Sequence, residues 1–474
     1  MDKQTATQLI GNTFNYPFDE GRFRNFAINL LNNVDEAKRF DYISGTYIRH
    51  SFKNHISKYK RLGTYTDPNG DKIDVLVVQL KNEWALERSR TMLRNFTSDY
   101  LKNRDEKDAA LVAYYTSNPE DWRFSYIKME YKRVQTESGK FKIKEDVTPA
   151  KRYSFLVGKN EPNHTAQAQL VGILADDRNN PTLTELETAF SVDAVTKQFY
   201  KDYRAQFEKL WNELNDIVSK DHKISAEFES KTIDTANFAK KLMGQIVFLY
   251  FLQKKGWLGV GKDSEGNFKD WGTGPKNFLR RLYDKEFTDY GNFFNDILEP
   301  LFYEALATER TSDVFTQFNC KIPFLNGGLF EPINDYNWEE TDIRIDNDII
   351  ASVLGTFDQY NFTVREDEPL EKEVAVDPEM LGKVFENLLP ENLRKGKGTY
   401  YTPRTIVHYM CQESLINYLD TECESVPKED IETLIKEGDI ILELETAIVE
   451  QDKKYKSALM DSIKDNAQAL DDAL

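Results

Sequence analysis

Two short stretches carry residue types that can do chemistry. The first is Gln79-Leu80-Lys81, at the end of the apolar run Lys72-Ile73-Asp74-Val75-Leu76-Val77-Val78. A glutamine carbonyl oxygen can ligate a hard cation, though without charge. Asp74 on the same run is the natural carboxylate to join it. On one regular strand, however, Asp74 and Gln79 differ in parity and face opposite sides. Asp74 and Lys81 would also stand about 23 Å apart at roughly 3.3 Å per residue. A bulge repairs the parity but not the distance, and Asp67, in the preceding turn, has the same difficulty. Glu20 offers a carboxylate from outside the strand. The competing reading is a buried strand that ends in a lysine.

The second stretch is Gly398-Thr399-Tyr400-Tyr401-Thr402-Pro403-Arg404-Thr405-Ile406-Val407-His408-Tyr409-Met410. Thr402 stands as an N-cap, and Pro403 takes the first helical position, where its missing N–H costs nothing. Ile406, Val407 and Met410 fall on one helical face. Tyr400 and Tyr401, just before a capped helix, can offer aromatic surface and hydroxyls to a small ligand. An ordinary loop-to-helix junction with both tyrosines in the core fits the spacing as well. Elsewhere, Arg88, Arg90 and Arg94 form a basic ridge suited to phosphates, or else a solvated helix face with local ion pairs to Glu87. The Gly-rich loop Gly259 to Gly274 lacks a G-K-[ST] ending and a preceding strand, so it is expected to be plain surface.

The elements that must position these residues follow from periodicity and turn signals. Phe23, Phe26, Leu30 and Leu31 make residues 18–34 an amphipathic helix. A basic segment, Arg49 to Arg61, leads into a strand at 61–66, the turn Asp67-Pro68-Asn69-Gly70, and a buried strand at 72–81. A helix from about Trp84 to Leu101 precedes strands at 109–115 and 122–129. Most of the remainder reads as helix: 173–225, 233–255, 275–307, 347–358, 377–389 and 403–419. Pro323-Phe324-Leu325-Asn326-Gly327-Gly328-Leu329-Phe330-Glu331 is a glycine-hinged hydrophobic loop with a structural role. The expected class is an α/β N-terminal part followed by helices, mostly α overall.

Composition sets the outer bounds. The chain has 474 residues, and 13% aromatic content supports real cores. A net charge of -18 argues against nucleic-acid binding by the whole surface, while leaving room for a local basic groove. No segment approaches the roughly 20 apolar residues of a membrane span. Three cysteines and five histidines form no metal pattern, which points to a reducing cytoplasm.

The order helix, strands, helix, strand resembles the core of PD-(D/E)xK nucleases. In that core a strand-end acid–spacer–lysine and a second carboxylate hold Mg²⁺, and the lysine positions or activates water. Here Gln79-Leu80-Lys81 stands in that place, with Asp74 and Gln79 as metal ligands and Glu20 as a further catalytic carboxylate. The segment Gly398 to Met410 resembles the opening motif of N6-adenine DNA methyltransferases. Val376 to Leu389, Pro323 to Glu331, residues 61–103 and Arg152 to Thr165 resemble the matching regions of type IIG restriction–modification enzymes. The resemblance implies an endonuclease domain at 1–160, a helical connector at 161–390, and at 391–474 the edge of a methyltransferase domain. It also implies that Tyr400, Tyr401, Thr402 and Pro403 line one wall of an S-adenosylmethionine pocket. The partners it implies are double-stranded DNA, as in defence against phage, and a separate methyltransferase or specificity chain. A methyltransferase also has a Gly-rich cofactor turn and an Asn-Pro-Pro-Tyr-type loop, which these 474 residues lack, so methyl transfer is not expected from them alone. The alternative is a non-catalytic DNA-binding or scaffold subunit that docks a methyltransferase.

Overall fold

The computed structural model describes residues 1–82, 86, 89–103, 107–129, 132–135, 141–144, 150–325, 327–364, 370–388, 402, 404–423 and 425–436. The chain opens with helices α1 (Lys3–Phe14) and α2 (Glu20–Leu31), then strands β1 (Val34–Asp35), β2 (Phe40–Ser44), β3 (Ile56–Thr66) and β4 (Lys72–Leu80). Helix α3 (Arg90–Lys102) leads to β5 (Ala109–Tyr115), β6 (Asp121–Met129), the small hairpin β7 (Lys132–Gln135) and β8 (Phe141–Lys144), and β9 (Ala150–Gly158). Helices α4 (His164–Ala175), α5 (Leu183–Ala189), α6 (Val192–Lys220), α7 (His222–Ser230), α8 (Thr235–Lys254) and α9 (Phe278–Tyr283) follow. The hairpin β10 (Val314–Phe315) and β11 (Cys320–Lys321) precedes α10 (Asn347–Phe357), β12 (Glu371–Glu373), α11 (Pro378–Leu388) and α12 (Arg404–Glu422). Helix outweighs strand, and the main sheet is mixed, so the mainly helical α/β expectation holds at that level.

The eight-stranded sheet runs β1-β3-β4-β5-β6-β9-β12, with β2 also paired to β3. The Asp67–Gly70 turn joins β3 to β4 as an antiparallel hairpin, and Asp67 stabilises it by accepting from the amides of Asn69 and Asp71 at 2.7 and 2.9 Å. Helix α3 is the crossover that lets β5 pair parallel to β4, the connection a parallel pair requires. Alternation along β4 divides the core. Ile73, Val75 and Val77 join the layer of α1 and α2, whereas Leu76, Val78 and Leu80 pack with Leu93, Phe96 and Tyr100 of α3. In the first layer Phe14 and Phe23 lie with ring centroids 5.5 and 5.8 Å from Trp122, all of them fully buried. Burying each such ring contributes about 1.5–3 kcal/mol.

Two features of the sheet extend past residue 160. Helices α4 and α5 cover the α1 side, and Phe190 packs on Phe124 and Phe155. Strand β12 adds to the edge in parallel with β9, setting Glu371 opposite Arg152. At the end of β9, Gly158 sits at φ +140°, and a Cβ there would lie 2.2 Å from the Glu120 carbonyl oxygen. Only glycine fits that turn.

The helical portion departs from simple periodicity around Pro300. Residues 294–298 and 300–306 wind as π-helix rather than α-helix. Proline lacks the N–H that would reach the carbonyl four residues back. The carbonyl of Asp296, four residues before Pro300, accepts from Gln317 Nε2 at 2.8 Å. The glycine-hinged loop has the structural role expected of it. Lys241 Nζ and Gln245 Nε2 of α8 donate to the carbonyls of Gly328 and Leu329 at 3.1 and 2.9 Å, and Phe330 is buried against Phe302. Asn326 lies outside the described residues. Among the described residues, no helix is long and apolar enough to cross a membrane.

Candidate active site

Five elements, α2, β2, β3, β4 and β5, meet at the carboxyl ends of β4 and β5. Parallel pairing sets Gln79 beside Tyr115, and antiparallel pairing sets Lys58 beside Gln79 and Lys60 beside Val77. Directly opposed residues share a face, so Lys58 and Lys60 stand on the side of Gln79. That is also the side of α2. Asp19 caps α2 by accepting from the Arg22 amide at 2.8 Å, which places Glu20 in the first turn, where the helix dipole favours an anion. Phe18, just before this cap, stacks on the Tyr115 ring at 4.4 Å.

Strand β2 supplies the last member. Its register on β3 is irregular between Phe40 and Ile43, and Tyr42 falls within that irregularity. Bulges of this kind re-aim side chains. Tyr42 Oη donates to Glu20 Oε2 at 2.8 Å and lies 3.4 Å from Tyr115 Oη. Tyr115 Oη in turn makes a long 3.5 Å contact to Gln79 Oε1. The result is a chain of oxygens, Glu20–Tyr42–Tyr115–Gln79. The Lys60 ammonium pairs with the other Glu20 oxygen. The ammonium groups of Lys58 and Lys60 lie 4.1 and 4.7 Å from the centroid of the Tyr42 ring, within cation–π range. Burial, reinforced by the hydrogen bonds with Tyr115 and Glu20, pushes the Tyr42 phenol well above its ordinary pKa. Burial also raises that of Tyr115. Both phenols therefore keep their protons and serve as donors.

The structure thus links Glu20 and Gln79, two residues far apart in sequence, through two phenol hydroxyls, and leaves Asp74 elsewhere. Asp74 is fully buried on the α3 side, accepting from Arg61 Nη1 at 3.0 Å, Thr64 Oγ1 at 2.7 Å and Tyr100 Oη at 2.8 Å. The opposite parity of Asp74 and Gln79 is therefore realised: the β4 strand has one on each face. Asp67 is also remote, its second oxygen accepting from the Leu183 amide at the start of α5. Lys81 is exposed just past β4, its amide donating to the His55 carbonyl at 2.9 Å. Lys60, Lys58, Tyr42 and Tyr115 were not singled out as site residues from sequence. The alternation of Lys58 and Lys60 on a strand facing Gln79 was the available signal; for Tyr42 there was none, because a register irregularity leaves no residue signature.

The arginine ridge is corrected by the fold. Arg90 and Arg94 are buried rather than presented to solvent, because α3 turns them onto the sheet edge. Arg90 pairs with Glu373, and Arg94 with Glu371 at 3.6 Å. Arg123 and Arg152 join the same cluster, 3.4 Å from Glu373 and 2.8 Å from Glu371. Arg88 lies outside the described residues, as do Tyr400, Tyr401 and Pro403, while Thr402 is exposed. Ile406, Val407, Tyr409 and Met410 on α12 are exposed as well.

Among the described residues, no group of three or more His, Cys, Asp or Glu side chains is placed to hold a metal. Glu20 and Gln79 offer one carboxylate and one amide oxygen. That is a sparse set, of the kind that suits Mg²⁺ when water and substrate phosphate complete the shell.

No family model matches the chain, and no solved structure matches it. A protein of Methanocaldococcus jannaschii, provisionally named a type II restriction enzyme and methyltransferase, is 33% identical to it over 251 residues. The match covers 47% of this chain and 19% of the relative, so the aligned region is about a fifth of that protein's length. This homology links the chain to restriction–modification enzymes in general terms.

Proposed function

We propose that this chain carries the endonuclease of a restriction–modification protein acting on double-stranded DNA, of the type IIG kind in which one polypeptide also bears a methyltransferase. The observation that carries the reading is the convergence of Glu20 and Gln79 at the ends of β4 and β5, with Lys81 immediately following. Glu20 and Gln79 would hold a Mg²⁺ ion, which, when bound, polarises a phosphoryl oxygen and acidifies water. Tyr42 and Tyr115, whose hydroxyls link Glu20 to Gln79, would orient the two ligand oxygens. Lys58 and Lys81 offer positive charge to DNA phosphates.

The test is cleavage of double-stranded DNA by purified protein with Mg²⁺. Wild type is expected to cut, and Glu20→Gln and Lys81→Ala each to lose about a hundredfold or more in rate, the scale of a lost acid–base or positioning group. Undiminished cleavage by both variants would overturn the assignment.

The second reading is a non-catalytic subunit that docks a methyltransferase. Two observations favour it: Glu20 is already neutralised by Lys60, and α12 exposes Ile406, Val407, Tyr409 and Met410. Absence of cleavage with Mg²⁺, Mn²⁺ and Co²⁺ alike would select it. In either reading Tyr400 to Pro403 contribute one wall of an S-adenosylmethionine pocket that a methyltransferase segment completes. Photo-crosslinking of radiolabelled S-adenosylmethionine tests this, since labelling undiminished in Tyr400→Ala would count against it.

A further inference from the structure

The ammonium of Lys60 stands where a divalent cation would have to come. Of the two Glu20 oxygens, one accepts from Tyr42 Oη at 2.8 Å and the other is paired with Lys60. The lysine side chain is 17% exposed and the glutamate 36%, so the pair is open to solvent mainly on the carboxylate side. Lys58 follows on the same face of β3 and rests over the Tyr42 ring, so a second ammonium lies close by. A metal ion approaching Glu20 therefore meets a carboxylate whose charge is already balanced, with a further cation at its back.

Lysine suits an exchangeable counter-ion. It is a compact charge on a flexible four-carbon stem, unlike the planar fork of arginine. The phosphates of DNA are the anions most able to compete for it, because a duplex presents one negative charge about every 1.7 Å of axis. We infer that Lys60 is a resident counter-ion of Glu20 that DNA phosphate draws away, so that the divalent cation is taken up together with the substrate. The inference rests on the endonuclease reading above and adds an order to it: DNA first, metal second. The protein without DNA then holds its metal site closed by a residue of its own.

The experiment measures Mn²⁺ binding through the electron paramagnetic resonance signal of the free ion. It is run with and without a short mixed-sequence duplex, and uptake by the duplex alone is subtracted. Wild type is expected to bind weakly without DNA and about tenfold more tightly with it. Lys60→Met, which keeps the apolar stem, is expected to bind about tenfold more tightly than wild type without DNA, the effect of removing a like charge beside the site. It should gain little on adding DNA. Lys60→Gln is the second variant, and circular dichroism confirms that each is folded. Equal Mn²⁺ affinity in wild type and both variants, including no binding in any, overturns the inference. Glu20→Gln separates the two levels: Mn²⁺ binding that survives this substitution refutes the metal site itself, whatever Lys60 does.

Discussion

Asp74 and Glu20 are both carboxylates that accept hydrogen bonds from phenols, and their surroundings give them opposite work. Asp74 has three donors and no solvent exposure, so it belongs to the fold. Removing it leaves the Arg61 guanidinium facing a void, and breaking such a pair costs about 3 kcal/mol or more. Asp74→Ala should therefore lower the urea midpoint markedly, while Glu20→Gln should leave it within about 0.5 kcal/mol of wild type. A metal-ligand role for Asp74 would instead show as lost Mn²⁺ binding in a protein of unchanged stability. A third carboxyl, Glu299, is fully buried with its Oε1 accepting from Tyr336, and Oε2 meets no hydrogen-bond partner among the described residues. Burial pushes its pKa from 4.5 up to about 9, with Asp342 and Asp296 adding to the rise. The folded state then binds more protons than the unfolded one between those two values. The stability Glu299 gives is fully present below pH 4.5 and declines as pH rises through about 9. Glu299→Gln should flatten that decline and raise the melting temperature at pH 8 by about 2 °C or more, as read by calorimetry. The parity conflict between Asp74 and Gln79 was visible in sequence. Glu20 could be named as a carboxylate from outside the strand, but the two tyrosines that link it to Gln79 could not, because they depend on which elements pack on which face.

At the scale of elements, the hairpin β3–β4, the crossover α3 and strand β5 were legible from the turn tetrapeptide and from apolar runs. Helix α1 and strand β9 went unread, as did the short or polar strands β1, β2 and above all β12, whose residues Glu371-Lys372-Glu373 look like any acidic loop. Their partners make them a strand. Four guanidiniums, from Arg90, Arg94, Arg123 and Arg152, converge on two glutamates that only this strand supplies. Arg90 and Arg94, spaced four apart, have the pattern of a phosphate-binding ridge, and nothing local tells that their counter-ions lie some 280 residues downstream. Glu371→Ala removes the carboxylate shared by Arg94 and Arg152. It is expected to cost about 3–5 kcal/mol and to expose β9 and α3 amides to hydrogen exchange, as measured by mass spectrometry. Full protection in the variant would show that β12 is held by its backbone ladder alone.

Across the whole molecule, one apolar core runs from Ala6 of α1 to Val384 of α11, joining the sheet layer to the helical portion. Helix α12 belongs to a separate small core, Ile416, Leu419, Cys423, Val426 and Ile431. Calorimetry should thus show sheet and helical portion melting as one transition, and amides of α12 should exchange ahead of it. The family resemblance implied a first domain ending near residue 160, and periodicity offered nothing against it, because a strand that returns much later leaves no trace in the local pattern. That late return has a consequence for biosynthesis. Arg152 waits for Glu371, which follows it by 219 residues. At a ribosomal pace of about 5–20 residues per second, the wait lasts about 10–40 s. Until then the nascent sheet has an open edge and guanidiniums in water, and the arrangement of α3 beside β4 is incomplete. Ribosome-arrested chains ending before residue 370 should be cut readily by protease within β9, and those extending past residue 400 should resist. The last strand of the sheet thereby acts as a timer, holding back the ordered sheet layer until the helical portion has been made.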